Sequence, residues 1–155
     1  MSVPWLEGFR IVGAGMHVQR LRMEVAAQNL ANADATRTPE GGPYRRKEVV
    51  VAAVGPHGGD FVPLLVRLLR GEAAAGEEGL PQARVVGLID DSSPLKRVYD
   101  PGHPDADANG YVLLPNVDVP MEMADLMTAA RTYEANATAL ETMRRSLERA
   151  LELLK

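Results

Sequence analysis

The sequence predicts an α+β fold in which long N- and C-terminal helices form a coiled-coil-like part, with an intervening small β-rich module. Three observations carry this reading: an apolar seam at helical spacing near the start, a longer one at the end, and short β-branched runs broken by Pro and Gly between them. The chain has 155 residues, within the usual size of one folding unit, and is 46% hydrophobic but only 5% aromatic. A core must therefore be built from Val, Leu, Met and Ala, a set suited to helix-on-helix packing.

The first helix is expected over about residues 6–33. Ile11, Ala14, Val18, Leu21 and Val25 recur at alternating steps of three and four, and His17, Gln19, Arg20, Arg22 and Glu24 lie between them. The stripe fades into Gln28, Asn29, Asn32 and Asp34, and Thr38-Pro39-Glu40-Gly41-Gly42-Pro43 forbids continuation. Strands are expected over residues 44–51, 82–89 and 96–99, each bounded by Pro, Gly, Asp or Ser. Residues 60–70 fit a short helix after Pro63, and residues 71–79 are small, acidic and read as a mobile loop. The domain reading is 1–38 for the N-terminal helix and motif loop, 39–114 for the β-rich module and 115–155 for the C-terminal helix.

The last helix carries the clearest pattern, with Met123, Leu126, Ala130, Tyr133, Ala137, Leu140, Leu147, Leu151 and Leu154 on one seam. Asp118 is placed to cap it, and Glu122 and Asp125 set negative charge near the positive end of its dipole. From Val119 the helix would run about 54 Å at 1.5 Å per residue, longer than the core of a compact chain of this size can cover. Two arrangements satisfy such a seam: packing on neighbouring subunits, or an antiparallel pair of helices within one monomer. The pattern does not choose between them.

Several function classes are disfavoured. A net charge of −4 is a poor surface for phosphate backbones or anionic lipid, so no nucleic-acid partner is expected. With no cysteine there can be no disulfide, thiolate metal site or Cys nucleophile. Residues 1–10 lack the basic start and apolar stretch of a Sec-type signal, and the longest apolar run, 49–54, is too short to cross a bilayer. Gly13-Ala14-Gly15 imitates the opening of a dinucleotide-binding turn, but Val18 occupies the third glycine position and no strand is read before it. Asp105, Asp107, Asn109 and Gly110 imitate a calcium loop, yet Asn116 stands where the bidentate Glu is required. A backbone-bonding acidic turn in which Asp100, Asp105 and Asn109 make local bonds is expected instead. His17, His57 and His103 are scattered, and Arg45-Arg46-Lys47 reads as a solvated strand end. No cofactor, metal or small-molecule substrate is expected.

Two long motifs point further. Asn29-Leu30-Ala31-Asn32-Ala33-Asp34, followed by Pro39, Gly41, Pro43 and Tyr44-Arg45-Arg46-Lys47, resembles the N-terminal signature of the FlgC family of flagellar rod proteins. Tyr99-Asp100-Pro101-Gly102-His103-Pro104-Asp105, then Gly110-Tyr111-Val112 and Pro115-Asn116-Val117-Asp118, resembles its C-terminal signature. The resemblance implies a non-catalytic subunit of the proximal rod in the bacterial basal body, exported by the flagellar type III apparatus. Its implied partners are other rod and axial proteins and its own copies, without membrane insertion, and its helices would pack on those of neighbours to transmit torque. A small calcium- or nucleotide-binding protein is the alternative. One departure from related axial proteins is that Gly13 and Gly15 weaken helix propensity by up to about 1 kcal/mol each, so the first helix is expected to start late or kink there.

Overall fold

The computed structural model describes residues 4–54 and 81–153. The expected helix at 60–70, the loop at 71–79, His57 and Leu154 lie outside the described residues. The element order is α1 (Pro4–Ala31), β1 (Lys47–Val54), β2 (Gln82–Asp90), β3 (Lys96–Tyr99), β4 (Tyr111–Leu114) and α2 (Val119–Glu152). This is the α+β arrangement of two terminal helices with a small antiparallel strand module between them.

Helix α1 runs unbroken through Gly13 and Gly15 and starts earlier than the propensity argument allows. Pro4 sits in its first turn, where a missing N–H costs nothing, and Glu7 complements the dipole. Its C-terminus is closed by Asn32, whose backbone N–H and side-chain amide both donate to Gln28 O, at 3.2 and 2.8 Å. Of Gly13 and Gly15, only Gly15 faces a close neighbour among the described residues. A Cβ at Gly15 would lie 3.2 Å from Nδ2 of Asn136 on α2, while one at Gly8 would lie 3.6 Å from Met143.

Seven residues forward on α1 is thus seven residues back on α2, the signature of an antiparallel pair within the monomer.

Two compact units divide the chain: Met1–Gln19, Val51–Val86 and Arg131–Lys155 in one, Arg20–Val50 and Gly87–Ala130 in the other. The first contains the Gly8 and Gly15 contacts with α2. The second has a core of Val25, Ala26, Tyr44, Val112, Val117 and Ala129.

Strands β1 and β2 form a two-stranded sheet, and the N–H of Asp91 after β2 donates to Arg46 O before β1, so the strands run in opposite directions. β1 begins three residues later than the sequence suggests because Tyr44 is claimed by the loop, its N–H donating to Ala35 O. β4 is absent from the sequence reading. It pairs antiparallel with β3 in the register Lys96↔Leu114, Arg97↔Leu113, Val98↔Val112 and Tyr99↔Tyr111, which buries Val112 and leaves Tyr99, Tyr111 and Leu113 outside.

Helix α2 starts where expected, with the Asp118 carbonyl accepting the N–H of Glu122. Its inward face includes Leu126, Ala130, Tyr133, Ala137, Leu140 and Leu147 of the apolar seam read from sequence and departs from that seam toward the helix ends. Glu122 and Ala129 are buried, and Leu126, Tyr133, Asn136, Leu140 and Leu147 are half-buried, whereas Met123 is 52% exposed and Leu151 also lies outside. Small and polar residues let the helices approach, and Met121, Met123 and Met127 face outward.

Candidate functional site

The second unit is organised around Asn29, which the sequence reading placed where the α1 stripe fades. It is instead 1% exposed and continues the buried row of Val25 and Ala26. All its hydrogen-bonding capacity is used: Oδ1 accepts from Tyr44 Oη and Lys47 N, each at 2.9 Å, and Nδ2 donates to Lys47 O at 2.9 Å and Glu122 Oε2 at 3.0 Å. One side chain thereby ties α1, the following loop, the start of β1 and α2. Burial pushes the Tyr44 hydroxyl above its ordinary pKa, helped by the charges of Asp90 and Glu122.

Arg46 supplies the counter-charge. Its Nε donates to Glu122 Oε1, Nη1 lies 3.7 Å from Asp91, and Nη2 lies 3.6 Å from Asp125. Burial alone would lower its pKa, but the hydrogen bond to Glu122 and the charges of Glu122, Glu48 and Asp91 outweigh that and raise it. Its N–H donates to Asn116 Oδ1 at 2.8 Å, and Asn116 Nδ2 reaches Asp91 O at 3.2 Å and Ser93 O at 3.4 Å. The expectation of a solvated basic run therefore fails at Arg46, because the carboxylates of Glu122, Asp91, Asp125 and Glu48 gather around it.

A second cluster joins the two motif loops. The first loop folds back with Thr38 N donating to Gly42 O at 2.8 Å, its tip formed by Gly41 and Gly42 at φ 93° and 78°. Thr36 Oγ1 donates to Asp105 Oδ2 at 2.7 Å, and Arg37 pairs with Asp105 Oδ1. Asp105 N donates to His103 Nδ1 at 3.1 Å. Asp107 Oδ1 accepts from the N–H groups of Asn109 (2.8 Å) and Tyr111 (2.9 Å), while Oδ2 pairs with Arg97 at 3.2 Å. Arg97 stacks 4.0 Å from the Tyr111 ring centroid, and Tyr99 meets Tyr111 edge-on at 5.2 Å. A shallow cavity of about 400 Å³ lies here, lined by Thr36, Pro43, Arg97, Asp105, Asp107 and Tyr111 among others.

These contacts correct the local-turn expectation in part. Asp100 does bond locally, accepting from Gly102 N at 3.1 Å. Asp105 reaches instead to the other motif loop, and Asp107 accepts the backbone bonds of the turn. The carboxylates that imitate a calcium loop are engaged by side chains and backbone, and among the described residues no group of three or more His, Asp or Glu could hold a metal ion. The Gly13 and Gly15 pair lies inside α1, and among the described residues no strand precedes it. No helix among the described residues is long and apolar enough to cross a membrane.

A family model described as flagellar basal body rod FlgEFG protein C-terminal matches residues 108–153. The flagellar basal-body rod protein FlgC of Salmonella typhimurium is 41% identical over 145 residues, with 94% of each chain covered. That of Bacillus subtilis is 40% identical over 149 residues, covering 94% of this chain and 95% of the relative. That of Borreliella burgdorferi is 39% identical over 153 residues, again with 94% of each covered. The chain belongs to the FlgC family of flagellar basal-body rod proteins.

The residues that carried the FlgC resemblance converge in the second unit. Asn29 and Tyr44 share a hydrogen bond, Asn116 holds Arg46, Asn32 closes α1, and Pro43 and Asp105 line the cavity. Gly41 forms the first loop's tip, with Pro39 exposed beside it, and Pro104 lies against that loop. Pro101 packs beneath Gly110, Gly102 bonds Asp100, and His103 accepts from Asp105.

Of the FlgC chain's apolar seam, Val18 and Val25 are buried, and Ile11, Leu21, Leu126, Tyr133, Leu140 and Leu147 are half-buried. The sequence reading missed Glu122 and Arg46 as partners. The available signal was spacing: Glu122 precedes Leu126, Ala129, Tyr133, Asn136 and Leu140 at alternating steps of four and three.

Proposed function

We propose that this chain is a structural subunit of the proximal part of the flagellar rod, assembling helically with its own copies and other axial proteins, without catalytic activity. The observation that carries the reading is the uncovered apolar surface of α2. Val119, Met123 and Met127 stand at i, i+4 and i+8 with Met121 beside them, all exposed, and at the other end Leu151 and Leu153 are exposed, the latter by 88%. A monomer rarely leaves such rows uncovered without a partner. Heterologous contacts through surfaces that do not close on themselves build helical assemblies, and large apolar contacts lock subunits against torque.

Export through the flagellar type III apparatus and a place in the periplasm-spanning rod belong to the same proposal. Deleting the chain from a flagellated cell tests it: hook and filament are expected to be lost and restored by the intact gene. Normal filaments in the deletion strain would overturn the reading.

A further inference from the structure

Glu122 is a charge in a place that favours apolar residues. It is 2% exposed on the face of α2 that meets α1, in a row continued by Leu126 and Ala129. The partner that helix α1 gives it is neutral, the Asn29 amide. Its cation comes from neither helix, because Arg46 belongs to the segment just before β1.

Arg46 is itself positioned by contacts made late in the chain. Its N–H is held by Asn116 and its carbonyl by the N–H of Asp91, and the next residue, Lys47, gives both backbone groups to Asn29. The Asp91 and Asn116 anchors exist only when β1 has paired with β2 and the segment before α2 has docked.

A carboxylate withdrawn from water without a cation is strongly disfavoured, whereas one bonded to a guanidinium is tolerated. We propose that Glu122 is a folding-order lock: it opposes closure of α1 residues 25–29 onto the start of α2 until the β1–β2 pair delivers Arg46. The same charge fixes register, since a slip of one turn would set it against Val25 and Ala26. The inference concerns the isolated chain and stands whether or not the rod reading does.

The full chain, purified, tests it in two ways. In thermal melts Arg46→Met should lower the melting temperature by about 10 °C, as expected for a broken buried ion pair in a chain of this size. Glu122→Gln should lower it in the parent but raise it in the Arg46→Met background, because there it removes a stranded charge. Loss of stability in both backgrounds would overturn the lock. Should Arg46→Met fail to fold, the variant with both Arg46→Met and Glu122→Met decides: its folding supports the lock, and its failure overturns it.

Pulse-labelled hydrogen exchange during refolding reads the order directly. In the parent, amides of residues 26–30 and 123–130 should gain protection together with those of 47–50. In the variant with both residues replaced by Met the helical amides should gain it first. Helical protection that precedes the strands in the parent would overturn the proposal.

Discussion

The hydroxyl of Thr36 donates a 2.7 Å hydrogen bond to Asp105, 69 positions further along the chain. Arg37 pairs with the other oxygen of the same carboxylate, whose side chain is only 17% exposed. The two motif loops are therefore tied through one group. Thr36→Val and Asp105→Ala should each lower the melting temperature, and the double variant should lose less than the two losses combined, because both remove the same bond. Additive losses would show that this bond does not couple the loops.

Acid should weaken the fold through three carboxyls. The Ser93 hydroxyl and N–H hold Asp91 below the ordinary carboxylate range, the Thr36 hydroxyl does so for Asp105, and the N–H groups of Tyr111 and Asn109 do so for Asp107. In each case burial opposes the shift and nearby arginines assist it. A carboxyl with a depressed folded-state pKa stabilises fully above its unfolded value, about 3.9, and that contribution is lost as pH falls through the folded value. Stability measured by urea titration should decline below about pH 4 on this account, and Asp105→Asn or Asp107→Asn should flatten the decline. An unchanged acid limb in both variants would assign it to other groups.

Gly110 combines two demands. Its φ is 78°, and a Cβ there would lie 3.0 Å from Tyr99 Cε2 and 3.1 Å from Pro101 Cβ. Gly42 has the same φ with nothing within 4 Å. Gly42→Ala should cost about 1 kcal/mol, the left-handed penalty alone, while Gly110→Ala should cost more by displacing the start of β4. Equal losses in denaturant melts would contradict the packing argument.

Gly13 and Gly15 separate propensity from packing in the same way. A Cβ at Gly13 meets nothing within 4 Å, so Gly13→Ala should raise stability by about 0.5–1 kcal/mol through helix propensity. At Gly15 the Asn136 amide stands 3.2 Å from the added carbon, so Gly15→Ala should gain less and Gly15→Leu should destabilise. A Gly15→Leu variant as stable as the parent would show that the helices can separate there without cost.

The end of α2 distinguishes fold from assembly. Leu147 is half-buried, one turn beyond the Met143 contact with Gly8, whereas Leu151 and Leu153 are exposed. Leu147→Asp should destabilise the isolated chain. Leu151→Asp should shift its stability by less than about 0.5 kcal/mol yet abolish motility, because docking would bury an unpaired carboxylate. Motile cells carrying Leu151→Asp would remove the argument that this end is reserved for a neighbour.

The sequence by itself determined the two terminal helices, three of the four strands among the described residues and the family, because each rests on periodicity, turn chemistry or motifs written within a few consecutive residues. Residues 96–99 form a strand as read, and α2 begins one residue after the expected Asp118 cap. What only the tertiary structure decided are features whose cause lies far along the chain. β4 is four residues between a glycine turn and a proline, too short to declare itself, and it exists because β3 presents the matching edge. Local reading left Asn29 where a stripe fades, Arg46 in a solvated run and Glu122 as a dipole complement. They form one buried network because the guanidinium that neutralises Glu122 stands 76 positions away, and a buried charge is defined by its partner rather than by its neighbours in sequence.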